Sequence, residues 1–320
     1  MDSTPTPLPP LPRAKPGEVL LLCTCYEDDG RARWGGLLGE IDGRPEDGAL
    51  VLDGRRTLLR PVEGTGWSYL RGGSVPALVP DGGDTAPKVL VMADIPVAYG
   101  GDGPLLVDLA EIPGRGVRVP SSRLGVILDQ LLGEELTFDD LVRDMDTRGM
   151  YQGDCGRPAF PAPTNPSRRS FPPLTATDAC LLVRTCFDDD EGWRTLLDEL
   201  GGADELGWVG ADPDLDDIDV DHFPLTALAV DDRAYEGLLP GQVPALVPPE
   251  EHTTLVALAD TRTFTRPGRP LTVVDLYDAP GHAAVLPCDQ VGSLACNLDI
   301  ANMDFSDFVA VEGVRPWWEE

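Results

Sequence analysis

Acidic side chains follow three predicted strands in the second half of the chain. Asp188–Asp190 come directly after the first strand, Asp231 and Asp232 end the second, and Asp260 ends the third. If the strands are parallel, these side chains lie together at the carboxyl edge of the sheet, where α/β folds place their ligands. Three converging carboxylates, from Asp188, Asp231 and Asp260, could bind Mg²⁺ or Ca²⁺ because hard cations prefer oxygen ligands. The alternative is that these acids are helix N-caps and solvated loop residues.

Two arginines near the same strand ends could hold an anionic group beside such a metal ion. This arrangement would suit a divalent-metal-assisted hydrolase or transferase, although the pattern assigns no catalytic residue. A phosphoacceptor site of the receiver type is excluded, because it would also need a lysine and the second half of the chain has none. The candidate functional residues are Arg184, Asp188, Asp189, Asp231, Asp260, Arg262, Asp278, Asn297 and Asn302.

The seven cysteines show no spacing that indicates catalysis or zinc binding. Cys186 ends the first predicted strand, and its counterpart in the first half is Cys25. A nucleophilic thiol needs a histidine or a helix N-terminus that lowers its pKa, whereas the acids after Cys186 would raise it. His222, His252 and His282 lack metal-ligand spacing and all lie in the second half. We therefore expect structural thiols, and the lack of CxxC pairs argues against zinc.

The segment Asp212–His222 has aspartates at alternate positions, which superficially resembles a calcium-binding loop. An EF-hand needs glycine at its sixth position and glutamate at its twelfth. This segment has Asp217 and Phe223 at those positions. It is therefore predicted to be a flexible acidic loop, with weak cation binding or contact with a basic partner as the alternative.

A polar set near the C-terminus, Asn297, Asn302 and Asp304, also has two interpretations. Asparagine interrupts a helix readily and caps the turn that follows, so Asn302 is predicted to cap a helix over Asp304–Val309. The alternative is that these residues contact a ligand together with the acidic strand ends. The pair Trp317–Trp318 is either a packing anchor or a patch that binds a partner.

The charge of the chain excludes one class of partner and favours another. The chain has 55 acidic and 25 basic residues and a net charge of −30. Residues 151–320 carry 31 acids and 10 bases, or −21, whereas residues 1–150 carry only −9. Nucleic-acid binding needs clustered Lys and Arg, and no basic patch can be drawn. An acidic protein repels anionic membranes and attracts basic proteins instead.

The N-terminal segment, MDSTPTPLPPLPRAKPG, is rich in proline and lacks the apolar run of a signal peptide. The apolar stretch Val19–Cys23 is too short to span a bilayer, and nothing longer occurs elsewhere. These observations predict a cytoplasmic protein whose cysteines stay reduced.

The chain contains one domain of about 140 residues twice. LLLCTCYEDD at Leu20–Asp29 matches LLVRTCFDDD at Leu181–Asp190, and VPALVP occurs identically at Val75–Pro80 and Val243–Pro248. The later aspartates, Pro-Gly turns and Phe-x-Asp segments keep a spacing of 166–168 residues between the copies. The predicted organisation is a Pro-rich tail over 1–16, a diverged repeat over 17–148, a Pro-rich linker over 149–173 and a better-preserved repeat over 174–320.

Hydrophobic periodicity predicts the order β-α-β-α-β-β-β-α in each copy, an α/β (mixed α+β) fold with helices packed on a mixed sheet. Alternation in the first half favours parallel strands, and a Pro-Gly turn predicts a closing hairpin. In the second copy the predicted strands are Leu181–Phe187, Leu225–Asp232, Thr254–Asp260, Leu271–Leu276 and His282–Leu286. The predicted helices cover 191–201 and part of 294–309, and a short, imperfect helix interrupted by glycine and proline is predicted over 235–246.

The second copy resembles a family of bacterial proteins known only as a domain of unknown function. LLVRTCFDDD, VDDRAYEGLLPGQVPALVP, ALADTRTF, LTVVDLYDAPG and NLDIANMDFSDF carry the resemblance, which covers nearly all of Leu174–Val314. NLDIANMDF is the most specific of these motifs, and the first copy has QLLGEELTF in its place. The resemblance implies a fold and domain boundaries, and it implies no catalytic residue.

Charge and the lack of a nucleophile–base pair favour an acidic, non-enzymatic binding or inhibitor protein, of an immunity-like type, that acts on a basic protein. The metal-assisted hydrolase or transferase is the alternative. A third hypothesis is a structural role in which the repeats contact each other, within one chain or between copies.

Overall fold

The computed structural model describes residues 8–25, 30–41, 43–52, 56–80, 86–100, 103–158, 170–210, 223–249 and 253–310. The chain divides into two compact units: residues 1–166 together with Asp278–Pro280 form the first, and the remaining residues form the second. None of the helices in these ranges is long and apolar enough to cross a membrane.

The first unit is built on a seven-stranded mixed sheet. Its strands are β1 (Glu18–Cys23), β2 (Gly43–Glu46), β3 (Ala49–Leu52), β4 (Leu58–Val62), β5 (Val89–Ala93), β6 (Leu105–Asp108) and β7 (Gly116–Arg118). They are ordered β2-β3-β4-β1-β5-β6-β7. Its helices are α1 (Gly30–Glu40), α2 (Val75–Leu78), α3 (Leu124–Leu132) and α4 (Phe138–Arg143). Strand β1 pairs in parallel with β4 and β5, so the carboxyl ends of these three strands meet at one edge.

The second unit repeats this plan on a six-stranded sheet. Its strands are β8 (Cys180–Arg184), β9 (Trp208–Val209), β10 (Ala227–Val230), β11 (Leu255–Ala259), β12 (Leu271–Asp275) and β13 (Ala283–Leu286), in the order β13-β12-β11-β8-β10-β9. Its helices are α5 (Asp190–Glu199), α6 (Thr261–Thr265) and α7 (Val291–Asp299). Strand β8 is parallel to β10 and β11, whereas β11, β12 and β13 are antiparallel. The predicted mixed sheet, its parallel centre and its closing hairpin are confirmed.

Each central strand is buried on both faces, which is why it reads as an unbroken apolar run. In β8, Leu182 packs in one core with Trp193 and Phe305. Leu181 and Val183 point to the opposite face and pack in a second core. The apolar run therefore positions the polar residues that follow it at the carboxyl edge.

The stretch 235–246, predicted to be a short, imperfect helix, contains no α-helix. This stretch forms separate 3₁₀ turns at Pro240–Gln242 and Pro244–Leu246, after a turn at Arg233–Tyr235. Proline has no backbone N–H and clashes with the preceding turn of an α-helix, so two prolines four residues apart break the helix. Helix α6 and the short edge strand β9 were not predicted.

A Pro-rich segment packs against each unit through two matching hydrogen bonds. In the first unit the Leu11 amide donates to the Leu78 carbonyl at 2.9 Å, and the Trp67 indole donates to the Pro9 carbonyl at 3.0 Å. In the second unit the Leu174 amide donates to Leu246 at 2.8 Å. The Tyr235 hydroxyl there donates to Pro173 at 2.7 Å. The sequence predicted as a tail and a linker thus includes a packed segment of each repeat.

Candidate functional site

The carboxyl ends of β8, β10 and β11 meet at one edge of the second sheet, which we call the carboxyl edge. The backbone amide of Thr185, one residue past β8, donates to the carbonyl of Ala259 at 3.0 Å. The carbonyl of Thr185 accepts from the amide of Gly237 at 2.9 Å. These bonds tie the loops after all three strands together and position their acidic side chains.

Arg184 is the anchor of this edge. Its side chain is 4% exposed, and its Nη2 lies 2.6 Å from Asp190 Oδ1. Its Nη1 lies 3.2 Å from Asp231 Oδ1, and its Nε donates to the carbonyl of Cys186 at 3.1 Å. One buried guanidinium therefore holds carboxylates from the ends of two parallel strands, as charge-assisted hydrogen bonds favour.

The guanidinium of Arg184 also lies over two aromatic rings. The Arg184 Cζ lies 4.5 Å from the centre of the Phe187 ring and 5.7 Å from that of Trp193. A second guanidinium, of Arg233, lies 4.9 Å from the centre of the Phe187 ring. All three distances are within the range of cation–π attraction. Phe187 and Arg233 were not among the candidate residues, since only their positions directly beside acidic strand ends could have pointed to them.

The acids of the first strand end have separate roles. Asp189 is the N-cap of α5, and its Oδ1 accepts from the amide of Gly192 at 2.7 Å. Asp190 is exposed, and its hydrogen bond to Arg184 lowers the pKa of its carboxyl. Asp188 is also exposed. The capping alternative thus describes Asp189, while Asp188 and Asp190 present carboxylates to solvent.

Asp260 is half-buried and fully engaged within the protein. Its Oδ2 accepts from Arg262 Nη2 at 2.7 Å and from the Thr272 hydroxyl at 2.7 Å, and its Oδ1 accepts from the amide of Arg262. Burial pushes the pKa of this carboxyl upward, but the hydrogen bonds from Arg262 and Thr272 outweigh burial and lower it. Asp260 also caps α6 through a capping box with Thr263.

The predicted metal site is not formed. Within the described part of the chain, no three His, Cys, Asp or Glu side chains come close enough to hold a metal ion. Asp231 bonds to Arg184 and Asp260 bonds to Arg262, so guanidinium groups occupy the oxygen atoms that a cation would need. The proposed set of Asp188, Asp231 and Asp260 is therefore wrong as a metal centre, although all three follow parallel strands at the same edge.

Three candidate residues lie at the opposite edge of the sheet. Strand β12 runs antiparallel to β11, with Leu255 opposite Asp275, so Asp278 follows a strand that ends where β11 begins. The end of α7 is there too, because Asp299 accepts a hydrogen bond from Thr254 just before β11. Asn297 and Asn302 are near this end of α7. Asp278, Asn297 and Asn302 therefore do not join the carboxyl edge.

The asparagines close the end of α7 and do not cap the next helix. The amide nitrogen of the Asn302 side chain donates to Asn297 Oδ1 at 2.7 Å, and that of Asn297 donates to the Ser293 carbonyl at 2.8 Å. The N-cap of the turn Phe305–Phe308 is Asp304, in a capping box with Asp307. The prediction that Asn302 is this cap is wrong, because the chain needs two more residues to leave α7.

The described thiols and histidine form no catalytic pair. Cys186 Sγ lies 3.9 Å from Asp188 Oδ2. In the first unit, burial and the nearby Asp94 and Cys23 raise the pKa of Cys25 to about 11. His282 lies at the edge opposite Cys186 and packs against Phe305, with ring centres 5.8 Å apart.

Several predicted features lie outside the described residues. They are the acidic segment Asp212–His222, His252 and Trp317–Trp318.

The first unit keeps an aspartate at its carboxyl edge but holds it differently. Asp94, after β5, receives two hydrogen bonds from the buried Arg118, at 3.0 and 2.8 Å. The counterpart of Arg184 in this unit is Cys23. The aspartate that ends the third parallel strand is thus paired with an arginine in both units, but only the second unit has the anchor at β8.

A family model described as "Domain of unknown function (DUF6924)" matches the chain twice, over residues 18–154 and 179–314. Neither the search of curated proteins nor that of solved structures found a match.

Proposed function

The chain belongs to the DUF6924 family, with two copies of its domain, and we propose that it is an acidic, non-enzymatic binding protein. Its partner is a basic protein, which it covers at the carboxyl edge of the second unit in the manner of an inhibitor or an immunity-like factor. Family membership brings no activity with it, so the proposal rests on the chemistry of this edge.

One observation carries the proposal: the edge holds exposed carboxylates on a rigid, buried anchor. Asp190 and Asp231 are 69% and 48% exposed while both are bonded to the buried Arg184. Asp188 and Asp232 beside them are exposed. Rigid charged groups lose little conformational entropy on binding, and complementary charge speeds association and sets its specificity.

The protonation of these acids favours binding over catalysis. A catalytic acid or base works best with a pKa near the operating pH, which usually requires a raised carboxyl pKa. The pKa values of Asp190 and Asp260 are shifted the other way, the first by Arg184 and the second because Arg262 and Thr272 outweigh burial. Both groups therefore stay charged near neutral pH, and the exposed carboxylate of Asp190 suits recognition of a cationic surface.

Affinity capture tests the proposal. The full-length protein, immobilised at low ionic strength, should retain a basic protein from an extract of its own host and release it as salt rises, because exposed charges are screened. A variant with Asp188→Asn and Asp232→Asn should lose that protein. A matched variant, Asp178→Asn with Asp198→Asn, removes two exposed charges of the same unit away from this edge and should keep it. Recovery of no basic protein would refute the proposal.

A further inference from the structure

Two guanidinium groups, of Arg184 and Arg233, lie over the Phe187 ring, and they differ in burial and in hydrogen bonding. Arg184 is buried and makes hydrogen bonds to Asp190, Asp231 and the Cys186 carbonyl. Arg233 is 65% exposed, and its ion pair with Glu236 is 3.7 Å long, beyond hydrogen-bond distance. Exposed pairs of this kind contribute little to stability. Arg233 is thus held over the ring by weak contacts.

The surroundings of Arg233 would suit a cation from this protein or from a bound partner equally well. The Phe187 ring offers the face on which Arg233 now lies, 4.9 Å from the ring centre. Asp232 precedes Arg233, Asp188 follows Phe187, and both are exposed. The ring itself is only 8% exposed in this arrangement. Movement of Arg233 away from the ring would open an aromatic face in a part of the edge that also carries these exposed acids.

We propose that this face is a docking site for an arginine side chain of the basic partner, and that Arg233 occupies it when the partner is absent. The inference rests on the proposed function, and it specifies which side chain of the partner the carboxyl edge recognises. A guanidinium is planar, stacks on aromatic rings and binds carboxylates with two parallel hydrogen bonds, whereas the ammonium of lysine is a compact, strongly hydrated charge. The site therefore selects arginine over lysine.

The first unit does not have this site. Its counterparts of Arg184 and Arg233 are Cys23 and Thr65, so neither cation of the stack is present. The docking site belongs to the second unit, which also carries most of the negative charge of the chain.

Calorimetric titration with two peptides of equal charge, hexa-arginine and hexa-lysine, tests the inference on the full-length protein. The measured quantity is the ratio of the two affinities, which cancels general attraction between opposite charges. Phe187→Leu should lower this ratio about threefold, because it removes the cation–π surface and no charge. Arg233→Gln should raise the ratio about twofold, because it removes the competing guanidinium.

Arg194→Gln is the matched control, since Arg194 is an exposed arginine of α5 in the same unit. It removes the same charge as Arg233→Gln and should strengthen binding of both peptides without changing their ratio. Equal effects of Arg233→Gln and Arg194→Gln on the ratio would overturn the inference, even if Phe187→Leu failed to fold. If both peptides bind but neither Phe187→Leu nor Arg233→Gln changes the ratio, the proposed docking site is wrong and the proposed binding function stands. If neither peptide binds at low salt, both are wrong.

Discussion

Tyr69 and Gly237 occupy the same left-handed backbone position in the two repeats, with φ of 62° and 75°. Each amide donates a 2.9 Å hydrogen bond to a threonine carbonyl just past the first strand of its unit, Thr24 or Thr185. The position therefore needs a positive φ to close the carboxyl edge. Glycine adopts this conformation freely, whereas a bulky side chain is strained there.

Tyr69→Gly should stabilise the first unit by about 1 kcal/mol, because the strain is removed and little packing is lost. The Tyr69 side chain is 67% exposed, so its deletion uncovers almost no core. Gly237→Ala is the reciprocal test and should destabilise the second unit by a similar amount. A Cβ at Gly237 would meet no neighbouring atom, so any loss reports the backbone alone. Native-state hydrogen exchange of the strands of each unit measures both effects, and a destabilised Tyr69→Gly variant would contradict them.

Arg184→Ala should destabilise the second unit by about 2 kcal/mol, through lost hydrogen bonds and lost cover over Phe187 and Trp193. Asp190 and Asp231 are exposed and can regain water, which keeps the loss below that of a fully buried ion pair. Urea unfolding measures this change. Arg184→Lys should be intermediate, because an ammonium cannot reach all three acceptors.

The same variant has a second readout that a packing defect alone would not produce. The hydrogen bond from Arg184 is the main cause of the low pKa of Asp190. In Arg184→Ala the pKa of that carboxyl should rise toward its ordinary value, which NMR titration of the Asp190 side chain records. An unchanged pKa would show that Arg184 does not anchor the edge.

Glu111 belongs to a buried cluster in the first unit that has more carboxylates than cations. Arg115 pairs with Asp108 at 2.9 Å, Glu111 at 3.0 Å and Asp139 at 2.7 Å. Burial raises the pKa of Glu111, and although the Phe138 amide and Arg115 oppose this, Asp108 and Asp139 raise it further. A carboxyl with a raised pKa favours the fold below its unfolded pKa of about 4.3, and this contribution is lost as pH rises through the folded value.

Glu111→Gln should therefore stabilise the first unit at neutral pH and leave it unchanged below about pH 4. The gain should be less than about 1 kcal/mol, because 41% of the side chain is exposed and water screens its charge. The amide keeps an oxygen that can accept from Phe138 or Arg115. Urea unfolding across this pH range tests the prediction, and a gain confined to acidic pH would contradict its sign.

The strands and their placement were predictable from sequence because the duplication shows each signal twice. The runs at β8 and β11 are buried on both faces, so they read as continuous apolar segments in either copy. Parallel pairing then places Asp188, Asp231 and Asp260 at one edge without further information.

The partners of these acids were not predictable in the same way. Arg184 reaches Asp231 across 47 residues of sequence, and no local pattern encodes that contact. Asn302 was assigned as a cap because asparagine and aspartate favour the same position, and the actual cap, Asp304, is two residues away. Asp278 does not join the carboxyl edge because its strand, β12, runs antiparallel to β11, and the residue spacing alone does not encode that direction.

Affinity of the captured basic partner for three forms of the protein tests the central claim most directly. Calorimetry at low and high salt would compare the native protein, Asp188→Asn with Asp232→Asn, and the control Asp178→Asn with Asp198→Asn. The account predicts that the first variant binds about tenfold more weakly at low salt, with a smaller salt dependence, while the control matches the native protein. Equal weakening by both variants would contradict it, because binding would then follow the total charge of the chain and not its carboxyl edge.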